Sequence, residues 1–153
     1  MRTHLVMIWA AGLLLAGTAP LAAADGKEDA VAEELKKLEG PWVVESAEYD
    51  GKEVAKKDLI RTRIIFKSGR MIRFVRGKLV SSPIQVDPAK KPKTIDITMP
   101  GENGDVRRLG IYELDGDTLK IATGKERPSG FKSKPGSGIA VVVYKRDKVS
   151  PKR

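Results

Sequence analysis

The chain has 153 residues, with 29 Lys and Arg against 20 Asp and Glu, a net charge of +9, one histidine and no cysteine. That length supports one domain around one core. The single histidine, His4, lies in the N-terminal apolar segment, so the rest of the chain has no Ser-His-Asp or Cys-His arrangement, no disulfide and no zinc site of the usual His/Cys kind.

The N-terminus carries Arg2 as its only charge, then the apolar run "LVMIWAAGLLLAG" and the small residues "LAAAD". This is the layout of a secretory signal peptide over residues 1–24, cut after Ala24. The run from Leu5 to Gly17 is shorter than the roughly 20 residues that span a bilayer, so no integral membrane anchor is expected after cleavage. Cleavage removes one arginine and no acid, which leaves 129 residues of net charge +8, destined for the periplasm or the exterior. Without cysteines, packing and strand pairing have to supply the stability there.

Within the segment 25–40, Ala30, Val31, Leu35 and Leu38 recur at near-helical spacing and Gly40 stops them, which predicts a helix over about 27–38. From residue 41 to Arg146 the period changes to two. "PWVVESAEY" meets the turn pair Asp50-Gly51, and a polar connection from Lys52 to Leu59 has room for one helical turn. "RTRIIFK" and "RMIRFVR" flank "SG" as a tight hairpin, and "KLVSSPIQVD" follows, with Pro83 suggesting an edge or a bulge. "TIDITM" alternates cleanly. "VRRLGIYEL" and "TLKIAT" flank "DGD", residues 124–138 hold too many Gly and Pro for a helix, and "IAVVVYKR" is the last strand before a basic tail, 147–153.

Eight antiparallel strands with local connections remove their exposed edges by closing. The expected fold is all-β, an eight-stranded up-and-down barrel behind a short N-terminal helix, with a split sandwich as its rival. The pairs Ile64/Phe66, Ile72/Phe74, Ile95/Ile97, Leu109/Ile111, Leu119/Ile121 and Val141/Val143 are expected to face inward, filling the lumen or walling a pocket. Phe66, Phe74, Ile97, Ile111, Ile121 and Val143 are its candidate lining. Arg127, Pro128 and Phe131 are candidates for a lid over its mouth.

No residue constellation names a reaction, so a non-enzymatic protein without cofactor or metal is expected. Asp115 and Asp117 with nearby Glu113 match neither a calcium loop nor an acid–base frame, and hairpin chemistry accounts for them. The basic loop residues Lys90, Lys91, Lys93, Arg107, Arg108, Lys125, Arg127, Lys132 and Lys134 suit an anionic surface, or simply solubility. They lack the interleaved aromatics of single-strand binders, and no nucleic-acid partner is expected.

Gly40-Pro41-Trp42 after a helix, with Arg146 at the end of the last strand, resembles the Gly-x-Trp and terminal Arg pairing of the lipocalin or calycin superfamily. The resemblance implies that Trp42 seals the barrel floor and Arg146 lies across it. "LEGPWVVESAEYDGK", "IDIT", "GIYELDGDTLKI" and Arg127-Pro128 are similar to a planctomycete-type family of secreted lipocalin-like domains of unknown function, over most of residues 35–146. Ala122-Thr123 stands where members of that family often carry a cysteine. The resemblance implies the fold and export; barrel geometry and loop composition lead to the expected function, a monomeric binding module for a small apolar ligand in the lumen. The alternative is an interaction protein working through its outer surface, on an acidic envelope polymer or in the manner of a protease inhibitor.

Overall fold

The computed structural model describes residues 22–60, 62–75 and 77–148. The expected signal segment lies outside the described residues up to position 21, as does the tail from 149 onward. A helix α1 (Ala22–Leu38) leads into strands β1 (Gly40–Tyr49) and β2 (Lys52–Glu53), a one-turn helix α2 (Lys56–Leu59), and β3 (Arg63–Lys67) and β4 (Arg70–Val75). Then come β5 (Lys78–Asp87), β6 (Lys93–Met99), β7 (Val106–Asp115), β8 (Thr118–Gly124) and β9 (Ala140–Arg146).

Every pairing is antiparallel, and from β3 to β9 each strand lies beside the next. Strand β1 then pairs with β9 from Trp42↔Arg146 to Tyr49↔Ala140, which closes the ring. Short β2 only extends one end of β1, through Glu48↔Glu53 and Tyr49↔Lys52, so the closed barrel has eight staves. Closure leaves no edge in the ring. Two of the turns need left-handed backbone at both central residues: Asp50 and Gly51 have φ of 51° and 76°, Ser68 and Gly69 50° and 68°, as type I′ hairpins require.

Pro83 sits neither on an edge nor in a bulge. It pairs with Arg70, the first residue of β4, and the β5–β6 ladder starts at the next residue, Ile84↔Ile97. The missing N–H falls where β5 passes from one neighbour to the other.

Directly opposed residues share a face, so each two-residue turn carries the inward set of one strand to the next. With Lys67↔Arg70 across the Ser68-Gly69 turn, Phe66 faces Met71 and Ile64 faces Arg73. Met71 and Arg73 therefore point into the lumen, while Ile72 and Phe74 point out. Phe74 is 72% exposed, and its cross-strand partner Leu79 is 63% exposed. The turn between Asp115 and Thr118 acts alike: Leu119 and Ile121 face Leu114 and Tyr112, which turns Ile111 outward. On β9, Arg146, Tyr144 and Val142 face in, and Val141 and Val143 face out. The inward set is thus Ile64/Phe66, Met71/Arg73, Ile95/Ile97, Tyr112/Leu114, Leu119/Ile121 and Val142/Tyr144.

The main core runs along the lumen from Trp42 and Leu38 through Phe66, Ile95, Tyr112 and Leu119. A smaller cluster lies outside the barrel, where Ile111, Ala122 and Val141 are covered by Phe131 and Ile139. Those two belong to the long 125–139 connection, a strap laid on the outer wall. It is tied down elsewhere: Gly138 N–H donates to Asp50 Oδ1 at 2.8 Å, Gly51 N–H to Ser133 Oγ at 2.7 Å, and Arg127 to Gly110 O at 2.6 Å. A Cβ on Gly51 would sit 2.5 Å from Pro135, so glycine is required there twice over, by φ and by contact.

Candidate functional site

The two ends of the lumen differ. At one end the C-terminus of α1 runs straight into β1, and its last carbonyls, which lack intrahelical partners, meet side-chain donors instead. Trp42 is 0% exposed, and its Nε1–H donates to Leu38 O at 2.8 Å. The Arg146 guanidinium lies 4.2 Å from the centre of the Trp42 ring and donates to Lys37 O and Glu39 O, each at 2.8 Å. Gly40 turns the chain between them with φ of 112°, and a Cβ there would press on Arg146 Nη1 at 3.4 Å. Gly40, Trp42 and Arg146 thus form a closed floor in which ring, guanidinium and helix end hold one another.

Above the floor, α1 reaches into the barrel wall. The Glu34 carboxylate, 2% exposed, accepts from Lys93 Nζ at 2.6 Å and from Tyr112 Oη at 3.0 Å. Burial alone would raise its pKa, but the hydrogen bonds from Lys93 and Tyr112 and the charges of Lys93 and Lys37 win and hold it below the ordinary value. Burial, with the Glu34 charge beside it, pushes the Tyr112 phenol up. On the outer wall Asp96 is depressed in the same manner, because Arg127 and Arg107 outweigh its burial.

At the other end the lumen opens as a cavity of about 550 Å³. Ile97, Ile121, Val142, Met71 and Met99 supply its apolar wall, and Arg73, Arg108, Tyr144 and Thr123 its polar groups. Among the described residues no carboxylate lines it. Among the described residues Arg73 makes no ion pair: its Nε is buried without a hydrogen-bond acceptor, and its Nη2 meets the thioether of Met99 at 2.9 Å, a weak acceptor. Arg108 spends one donor on Gly138 O at 3.3 Å. Burial pushes the Tyr144 phenol up to about 12, against the pull of the nearby Arg73 charge, so it stays a neutral donor at ordinary pH.

Of the expected pocket residues, Ile97 and Ile121 line this cavity, and Phe66 faces the lumen in the packed core. Phe74, Ile111 and Val143 do not: Phe74 is in solvent, Ile111 lies under the strap, and Val143 borders an outer crevice with Phe131. Nor do Arg127, Pro128 and Phe131 cover the mouth. Arg127 is bound to Asp96 Oδ1 at 2.8 Å, Phe131 is folded onto the outer cluster, and none of the described residues 125–139 lines the cavity. The strap meets the rim only from the side, where Arg127 and Pro128 share a second crevice with Tyr49 and Arg108.

Sequence reasoning missed Arg73 and Tyr144 and took Arg108 for a surface cation. The signal was present for all three. Once Ile64 is inward, the two-residue Ser68-Gly69 turn commits Arg73 to the lumen, and an Arg146 laid on Trp42 commits Tyr144 two residues earlier. Inward Leu119 and Ile121 commit Tyr112 through the next turn, and alternation carries this to Arg108.

No protein-family model, no curated protein and no solved structure matches this chain.

Proposed function

We propose that this is an exported, non-enzymatic binding protein that holds a small, mainly apolar molecule inside its barrel, as lipocalin-like proteins do. The observation that carries this reading is the cavity of about 550 Å³ at the end opposite Trp42. Its volume falls in the range of about 300 to 1,000 Å³ typical of small-molecule sites, and it combines apolar walls with a few polar groups, the usual build of such a site. The closed floor supports the reading, because a lumen sealed at one end keeps a bound molecule from passing through.

The alternative, a surface acting on an acidic polymer, loses weight on the fate of the basic side chains. Arg107 and Arg127 are held by Asp96, Arg146 and Lys148 by Asp117, Lys93 and Lys37 by Glu34, and Arg63 by Asp147. Part of the positive charge is thus answered within the chain.

Native mass spectrometry of the purified protein, against a variant with Ile97→Trp to fill the cavity, tests the proposal. A small-molecule adduct or probe should be retained by the parent and lost from the filled variant. Equal retention by both would move the function to the outer surface.

A further inference from the structure

The lumen contains a charge imbalance that the fold does not need. Elsewhere the most buried ionic groups are answered: Glu34 by Lys93, Asp96 by two arginines, and half-buried Arg146 by two carbonyls and an indole. The cavity is lined by two guanidinium groups, Arg73 and Arg108, and by no carboxylate among the described residues. Arg73 and Arg108 are only half-buried, but the Arg73 Nε is fully buried, and a buried donor without an acceptor is costly, so natural chains rarely keep one without a use. An aliphatic residue at position 73 would complete the apolar row with Met71.

We propose, building on the lumenal-binding reading above, that the occupant is an amphiphilic anion. Its acidic head group is received by Arg73 and Tyr144, with Arg108 adding positive potential at the mouth. Its aliphatic body lies against Ile97, Ile121, Val142 and Met99. The chemistry fits atom by atom. A guanidinium offers a planar fork of donors that matches the two oxygens of a carboxylate or phosphate, and the orphaned Nε belongs to that fork. The Tyr144 hydroxyl, neutral at ordinary pH, makes no hydrogen bond to another described residue and can donate a third. A cation-lined mouth in a low-dielectric wall also raises the local concentration of anions.

Isothermal titration of the purified protein with decanoate, decyl phosphate and 1-decanol tests this. At least one of the two anions should bind about tenfold or more tightly than the alcohol, since a charge-assisted hydrogen bond is worth about that much. Which anion leads tells a fatty acid from a phosphate headgroup as the source. Arg73→Met should bring the anions down to the level of the alcohol, without loss of decanol binding and without a lower melting temperature. Should that variant not fold, Arg108→Met should weaken the anions alone, by a smaller factor that shrinks with added salt. Alcohol and anions binding equally, or anion affinity untouched by both substitutions, overturns the anionic head group and leaves lumenal binding standing. If none of the three binds, lumenal binding itself falls and takes the proposal with it.

Discussion

Arg146 and Arg73 are the same side chain on inward faces of one barrel, and they are treated in opposite ways. Arg146 at the floor covers an indole and satisfies one carbonyl of the last helical turn and one just past it. Arg73 at the cavity has a buried Nε with no acceptor. The floor is finished by folding alone, with ring, cation, helix end and carboxylate all answered from within the chain. The mouth is left with donors and space. In a fold whose staves are otherwise alike, that difference separates the end that builds the barrel from the end proposed to bind.

The contrast breaks most visibly at the floor. Trp42→Ala should cost about 3 to 5 kcal/mol in urea unfolding, the usual loss for a fully buried aromatic truncated to a void. A midpoint that does not move would show that the indole seals nothing. Arg146→Met should cost about 1 to 3 kcal/mol, from two carbonyl hydrogen bonds and a cation–π contact. Arg146→Lys should recover only part of this, because one ammonium cannot span both carbonyls while covering the ring.

Next in size is the acid limb of the stability curve. Glu34 and Asp96 both have depressed pKa values when folded, so the unfolded chain binds more protons than the folded one at low pH. Their contribution is complete above about pH 4.5 and is lost as pH falls through the depressed values. Glu34→Gln should therefore lower stability at neutral pH and flatten its fall below about pH 4.5. A fall as steep as that of the parent would mean that the Glu34–Lys93–Tyr112 cluster does not tie the helix to the barrel.

The smallest effect sharpens the division between inner and outer faces. Phe74→Ser should change stability by no more than about 0.5 kcal/mol, as exposed substitutions do, and should leave any lumenal ligand undisturbed. A loss of several kcal/mol would restore Phe74 to the core.

The sequence alone determined the number and order of the staves and the N-terminal helix, and it favoured a closed ring over a split sandwich, which the β1–β9 pairing decided. These follow from local causes: period-two alternation, Asp-Gly and Ser-Gly turns, a glycine stop, and the need of exposed strand edges for partners. It also pointed to Trp42 and Arg146, through the resemblance of Gly40-Pro41-Trp42 and the terminal Arg146 to the floor pairing of lipocalin-like barrels. Which face of a strand turns inward was harder to read where apolar residues occupy both parities, as in "RMIRFV" and "GIYEL". There hydrophobicity favoured Phe74 and Ile111, and only the register carried across the turns reversed the choice. The strap lay beyond local reasoning altogether. Nothing within "GKERPSGFKSKPGSG" says that Phe131 will cover Ile111 and Val141 on the outer wall, because those partners come together only after the barrel has closed and presented an apolar patch to be covered. The cavity with its two arginines is likewise a property of the ring, since a row of residues becomes a lumen only when the first and last strands meet.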